Sequence, residues 1–579
     1  MGCQVFSISA NTVSRHHHGE NPRASSSCGV KCDLEARPGG ICSRCQHENH
    51  QCHPHIGPRK QRAIRSSLAG ARTDTSSPDR PVAAAEAEIT AQETASSFSV
   101  LGNQPPNCSI PVNGADVSRQ PNFIEGSSAI LDASQACRLP PPVIAQALSD
   151  FYFRELFCLV PVLDCGQPET TTSVLLQQAL YFAGSTMRQA AQPSAEWSAF
   201  RIYGRIKTLL FLHHDPSPFH MLATLCILGT WLPYSPDAFT LDNPWQWTSM
   251  GIRLGIQLHL HEDGAYRSFT HPGRMRRIWW YLFINDTLQM SCCGRPGMFP
   301  LKETTVPLPE ATDFEDPTDL GAASFCALAS LCTHLRKAID LGRYQNTPQD
   351  QVYSGLEDLI MWRERLPVAL SLFDMETRKT YNRPSVELYV FYLVTVILTC
   401  SLGRRDNSPC LKYVSMVASS CISRLYEEVL YHEDVQYLLP IHSWANLVAA
   451  IPRAFSDSDI LNPDRMHELD ICQQVLEKMS EKHTSASMVR GKINTLGNLG
   501  VSMFPQADDL SPIPNQRKRD MARLFPFPMA FCPMLDLLHW GKDGGQGLDD
   551  LPALSMNSMD GQDWPVDWSL FLFDAPMNF

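Results

Sequence analysis

Long apolar runs are scarce in this chain, and no membrane-crossing stretch is expected. The longest apolar run, Leu388–Leu402, falls short of the roughly 20 residues a hydrocarbon core requires and reads as a buried core helix. The common catalytic signatures are also missing: there is no G-x-S-x-G elbow, no phosphate-cradling G-x-x-x-x-G-K-[ST] loop and no H-E-x-x-H pair. Period-two alternation between hairpin turns is scarce, which argues against a sheet-based fold. Positive charge is in deficit, with a formal net charge of −12. The chain as a whole is therefore no general polyanion binder, and any contact with nucleic acid must come from a local basic segment. Met1–Ala10 has neither a basic stretch nor a sustained apolar run, so no export signal is expected. Gly2 and Cys3 suggest a lipidated start, but Phe6 stands where myristoylation wants Ser or Thr. The 20 cysteines are read accordingly as reduced thiols. Cys226, Cys326 and Cys472 sit inside apolar helical patterns, where a thiol behaves as a small hydrophobe.

What is present divides the chain into unlike parts. Residues 1–27 are polar, with His16–His18 and Ser25–Ser27, and read as a disordered leader. Residues 28–52 form a cysteine cluster. Residues 53–70 are a basic linker, in which Arg59, Lys60, Arg62 and Arg65 occur with no acid among them. Such a run can bind phosphates or serve as a nuclear import signal. Residues 71–138 are rich in Ser, Ala, Thr and Gln and read as a disordered linker. From 139 to 505 helical periodicity repeats. Ile144, Ala147, Leu148 and Phe151 share one expected face, and Trp247, Met250, Leu254 and Leu258 another. Phe325, Leu328, Leu331 and Leu335 make a third, and Leu356, Leu359, Ile360 and Arg363 a fourth. Residues 506–579 are Pro-rich at first and end in an acidic, aromatic tail. The expected fold class is mainly α.

The cysteine cluster carries the first chemistry. Cys32, Cys42, Cys45 and Cys52 are spaced C-x9-C-x2-C-x6-C. A C-x2-C pair puts two thiolates on one turn, within reach of a single Zn²⁺, and the loop at Arg37–Gly40 can bring Cys32 back. This segment resembles the second half of the fungal binuclear zinc cluster, the Zn2Cys6 family. Cys32 matches the third ligand of that family, flanked by Lys31 and Asp33, and Cys42, Cys45 and Cys52 match the fourth to sixth. The first pair does not match. Pro22 and Ser25 stand in its place, and Cys28 and Gly29 fall where the family has base-reading Lys or Arg. Cys28 can substitute as a ligand only at the wrong spacing, C-x3-C. A degenerate domain and a misassigned first exon both fit this departure. The resemblance implies structural zinc held by Cys32, Cys42, Cys45 and Cys52 with Cys28 in reserve. It also implies DNA contact through Lys31 and the basic linker, a nuclear location, and a homodimer or heterodimer.

A second block is more specific. Asn243–Asp263 leads into Gly273–Pro309, with His259, Arg276, Arg277, Trp279, Trp280, Asp286, Gly294, Arg295, Pro296 and Val306–Pro309 in a characteristic order. This resembles the fungal transcription factor regulatory domain, the middle homology region that accompanies zinc clusters, and most closely its cutinase transcription factor branch. Pro161–Asp164 and Trp362 with Leu366-Pro367 extend the likeness. Trp279 and Trp280 point about 100° apart on a helix, so burying both requires a thick helical bundle. Arg276 or Arg277 is expected to pair with Asp286, and Gly294-Arg295-Pro296 to set a turn. The block reads as scaffold. His213-His214-Asp215 and His261-Glu262-Asp263 stand at apparent helix ends and read as caps.

In the tail, Asp549, Asp550, Asp560, Asp563, Asp567 and Asp574 alternate with apolar residues, among them Trp564, Trp568, Phe571 and Phe573. Carboxylates keep such a segment hydrated and its aromatics exposed, which suits a coactivator groove. Together these features point to a transcription activator acting on RNA polymerase II genes, with DNA and coactivators as partners and no membrane. One alternative is a regulator without autonomous DNA binding that acts through a partner. Another is a helical small-molecule binding protein or enzyme, which would require convergent buried polar groups that the sequence does not display.

Overall fold

Local sequence sets where the helices start. Asn243 and Asp319 accept from the amides of Gln246 and Ala322 at 2.9 Å, and Asn382 accepts from Ser385 at 3.1 Å, each supplying an acceptor for an otherwise orphaned first-turn N–H. Proline at the first or second helical position adds a preset φ at seven of the starts described below. The computed structural model describes residues 127–539 except 168, 189–194, 236–237, 344–346, 403–407, 455–462 and 499–514. Its longer helices are α1 (Ser127–Ser134), α2 (Pro142–Phe151), α3 (Val174–Met187), α4 (Ala199–Phe211), α5 (Pro218–Leu228), α6 (Pro244–Gln257), α7 (Pro272–Cys293) and α8 (Leu320–Gly342). They continue with α9 (Gln349–Glu364), α10 (Arg383–Ser401), α11 (Pro409–Tyr431), α12 (Ile441–Ala454), α13 (Pro463–Ser480), α14 (Thr484–Asn498) and α15 (Asn515–Ala522). Among the described residues the only sheet is a hairpin of β1 (Phe373–Asp374) and β2 (Thr377–Arg378). The mainly α class holds.

Helix α10 is the hub. Nearly all its residues from Arg383 to Cys400 are buried, and α8, α9, α11 and α12 pack round it. By length and composition α10 is long and apolar enough to cross a membrane, contrary to the expectation from the shorter run, but 89% of its apolar window is buried, which makes it a core helix. Stacking of Trp362 on Tyr392 at 5.4 Å joins α9 to this hub. The stripe Phe325, Leu328, Leu331 and Leu335 faces the core as expected, and so do Leu356, Leu359 and Ile360. Two other stripes are rotated from their expected positions. Ala147 and Met250 are exposed, and α6 instead buries Trp247, Gly251, Ile252 and Gly255. The reason is that α6 packs through its glycines against α7: a Cβ on Gly251 would come within 2.8 Å of Leu282, and one on Gly255 within 2.9 Å of Trp279. Gly184 likewise brings α3 against α2, since a Cβ there would overlap the Leu148 carbonyl.

The helical body takes in α1, which lies within the stretch read as linker, with Ala136 behind it fully buried. At the other end Met521, Leu524, Phe525, Cys532 and Leu535 are buried. The cysteines of the described residues are free thiols. Burial pushes the Cys326 thiol up to about 12 and those of Cys226 and Cys332 higher still, so they remain protonated and act as packing groups.

Candidate functional site: a cavity beside an anchored helix

The arginines that open α7 serve as anchors. Arg277 is 1% exposed; it forms an ion pair with Asp164 and donates to the Asp313 carbonyl at 2.9 Å. Arg274 approaches the other oxygen of Asp164 at 3.4 Å, and Arg276 pairs with the Asp313 carboxylate. Burial pushes the Asp313 carboxyl upward, against the pull of the Glu310 amide and of Arg276. The expected pairing of Arg276 or Arg277 with Asp286 does not occur. Asp286 lies on the same helix about 15 Å further along at 1.5 Å per residue, well beyond the one-turn reach of side chains.

Asp286 has another task. Its carboxylate accepts from the Met298 amide at 2.8 Å, from the Phe299 amide at 3.1 Å and from Arg336 of α8 at 3.1 Å. Gly294, in the left-handed region at φ 62°, stops α7 and begins this return loop, as the Gly-Arg-Pro motif suggested. Gly297 is required further on, because a Cβ there would meet the Arg336 guanidinium at 2.4 Å. The anchored loop delivers Phe299 against Trp279, with ring centroids 4.4 Å apart. Both Trp279 and Trp280 are buried, as the bundle argument requires. The Trp280 indole donates to the Pro307 carbonyl at 2.7 Å, while that of Trp279 has no partner.

The histidine clusters are chain reversals. His213 and His259 sit at φ 49° and 57°, just past the ends of α4 and α6. Asp215 accepts from the Ser217 amide and from His220 and Ser173 around the start of α5. Burial alone would raise its carboxyl; the hydrogen bonds from His220, Ser173 and Ser217 outweigh this and hold it at about 2. Ser173 is bonded to the carboxylate and not to the imidazole, so the three side chains do not form a nucleophile–base pair.

Behind the anchored face, α7 lines a cavity of about 170 Å³. Its walls come from α6, α7, α8, α10, α12, α14, the segment that follows α5 and Leu159. Trp245, Tyr281, Phe391 and Trp444 give it an aromatic lining. Asn285, Gln289, Arg295 and His442 are among its polar residues. Asn285 Nδ2 donates to Thr248 Oγ1 at 3.0 Å and to the Gly229 carbonyl at 3.3 Å. Gln289 Nε2 donates to the same Thr248 hydroxyl at 3.0 Å, while Gln289 Oε1 has no partner. His442 on the far wall is engaged by Tyr426 at 3.0 Å and Glu387 at 3.4 Å. Ser443 and Ser485 face each other at 3.3 Å. Sequence reasoning missed this site. The available signal was two amides one turn apart, Asn285 and Gln289, on a helix with Asp286 and Thr287 between them.

The sequence-predicted site residues lie outside the described residues. This holds for Cys28, Cys32, Cys42, Cys45 and Cys52, for Lys31, Arg59, Lys60, Arg62 and Arg65, and for Trp564, Trp568, Phe571 and Phe573. No group of three or more metal-capable side chains occurs among the described residues.

The anchored block, Asp164 excepted, falls inside a family match. Residues 166–340 match the fungal specific transcription factor domain. The chain is 24% identical over 323 residues to an acetamidase regulatory protein of Aspergillus fumigatus, covering 52% of this chain and 41% of that protein. It is 27% identical over 205 residues to cutinase transcription factor 1 alpha of Fusarium vanettenii, covering 33% and 22%. The acetamidase regulatory protein of Aspergillus oryzae is 22% identical over 322 residues, covering 52% and 41%. The chain thus spans well under half the length of the curated relatives it matches. No solved structure matches it. The similarities support a fungal transcription factor.

Proposed function

We propose that this chain regulates RNA polymerase II transcription in the nucleus, with a cysteine-rich zinc module toward DNA and an acidic tail toward coactivators. The observation that carries this is the coincidence of the family match at 166–340 with a block whose buried charges bind each other. Arg277, Asp164, Asp286 and Arg336 are committed to holding loops in place, as in a scaffold. Cys32, Cys42, Cys45 and Cys52 supply four thiolates, the donor set of a closed structural zinc site.

A second reading is favoured by Pro22, Ser25, Cys28 and Gly29 standing where the family has ligands and base-reading side chains. Neither Cys28 nor Gly29 can make a bidentate contact to guanine. In this reading the chain lacks autonomous specificity, and the helical domain recruits it through a partner. Native mass spectrometry and DNA titration of the full chain test both. One retained zinc ion is expected, released at low pH as the thiolates protonate. DNA binding is expected to be weak, strongly salt-dependent and barely sequence-selective. Failure to retain zinc overturns the metal assignment. Nanomolar binding to one site at physiological salt, resistant to scrambled competitor, overturns the partner-dependent reading.

A further inference from the structure

Helix α7 ends on two thiols. Cys292 and Cys293 are adjacent in the chain, both are partly exposed, and both border the cavity. Their side chains are in contact, with Cys292 donating its proton to the Cys293 sulfur. That bond, and burial after it, hold the Cys292 thiol well above its ordinary range. The same bond, aided by Arg295, draws the Cys293 thiol below its ordinary range in spite of burial. Lys492 of α14 adds a second positive charge beside Cys292. A thiol lowered by such neighbours is the nucleophile of its pair. Cys226 and Cys332 differ from these two, being sealed in the core.

Spacing decides what the pair can take. Neighbouring Cα atoms are about 3.8 Å apart, short of the roughly 4.4–6.8 Å that disulfides prefer, so direct S–S closure is disfavoured. A bridging atom between the sulfurs enlarges and relaxes the ring. Among the described residues no third His, Cys, Asp or Glu joins the pair, so an ion that needs a closed set of four ligands is not served. Trivalent arsenic carrying one carbon substituent needs only two further ligands, and soft thiolates suit it. The cavity sets the substituent: its volume of about 170 Å³ is close to the roughly 150 Å³ engineered cavity that takes benzene, and Trp245 and Tyr281 are on its wall. We propose that Cys292 and Cys293 form a capture site for trivalent monoaryl arsenicals, with both sulfurs on the arsenic and the aryl ring in the cavity. Two As–S bonds replace the bonds from arsenic to oxygen. That oxygen leaves as water with the two thiol protons, and arsenic stays trivalent. The site does not depend on the function proposed above.

Native mass spectrometry of the full chain titrated with phenylarsine oxide is the test. Each single substitution, Cys292→Ser and Cys293→Ser, should remove one retained arsenical, with circular dichroism confirming the fold. Capture by other cysteine pairs, Cys42 and Cys45 among them, should be unchanged by either substitution. On the unaltered chain N-ethylmaleimide should label both Cys292 and Cys293 before arsenical treatment and neither after it, as read by peptide mass mapping. Glutathione, a monothiol, should leave the adduct in place, and ethanedithiol should strip it. Ethanedithiol competes for arsenic in the same way whatever the substituent. About tenfold more of it should therefore be needed to release phenylarsine oxide than methylarsine oxide, the difference being burial of the ring. Full retention by either serine variant, maleimide labelling that fails beforehand or that the arsenical leaves unchanged, release by glutathione, or equal ethanedithiol demand for the two compounds would each overturn the proposal.

Discussion

Removing the Asp286 carboxylate strips acceptors from three donors at once. In Asp286→Ala the Met298 and Phe299 amides and the Arg336 guanidinium lose partners at 2.8, 3.1 and 3.1 Å. Asp286 is 3% exposed and Arg336 9%, so water does not readily replace what is lost. Breaking a buried ion pair by removing one partner costs about 3–5 kcal/mol, and that range is expected here. Asp286→Asn keeps one oxygen for the loop amides and should cost about 1–2 kcal/mol, near the value of a charged hydrogen bond. Arg336→Met leaves Asp286 bonded to both amides and should also fall short of the alanine substitution. The double variant Asp286→Ala, Arg336→Met should lose at least about 1 kcal/mol less than the two single losses added together, because the stranded guanidinium is gone. Urea unfolding of the full chain followed by helical circular dichroism measures all four. A loss below about 1 kcal/mol for Asp286→Ala, or strict additivity in the double variant, would refute the anchoring role.

The two neighbouring tryptophans should part company: Trp280→Phe loses the bond to the Pro307 carbonyl, whereas Trp279→Phe loses no hydrogen bond, so the first should be destabilised by about 1 kcal/mol more in the same unfolding assay. Burial, aided by the neighbouring Lys482, holds the His483 imidazole at about 4, below its ordinary 6.5, so the unfolded chain binds the extra proton between those values. The stabilisation is complete above pH 6.5 and is lost as pH falls toward 4, by about 3 kcal/mol in all, and a His483→Gln chain should show a flatter profile over that window. Residues 546–579 fused to an unrelated DNA-binding domain should raise reporter transcription, and Trp568→Ala with Phe571→Ala should abolish the rise; a silent fusion would sink the activation role.

The local features of the fold were readable because their causes are local. Gly294 marks a stop through a single φ, and the apolar stripe Phe325, Leu328, Leu331 and Leu335 follows from helical spacing alone. The core placement of Leu388–Leu402 is decided by its burial, because its helix is also long and apolar enough to cross a membrane. The rotated stripe on α6 shows where this reasoning ends. Met250 has the right spacing and the right chemistry, yet it points outward because Gly251 and Gly255 admit α7 more closely than a methionine could. Helical periodicity records which residues could face a neighbour; the smallest side chains decide which do. The ion pairs failed for another reason. Arg277 and Asp164 are 113 positions apart, and Arg336 and Asp286 are 50 apart, so no window on the sequence contains both members. The cavity is harder still, since its walls are drawn from seven separate stretches of the chain between Leu159 and Val489.

The same geometry separates two kinds of polar residue within one helix. On α7, Arg274, Arg276, Arg277 and Asp286 pair with charges on loops and on α8. Asn285 and Gln289 are neutral and both donate to the Thr248 hydroxyl of α6. The charged motif that makes this block conspicuous in the sequence thus ties α7 to its loops and to α8, while the two amides tie it to α6, and burying neutral amides for that purpose costs less than burying further charges.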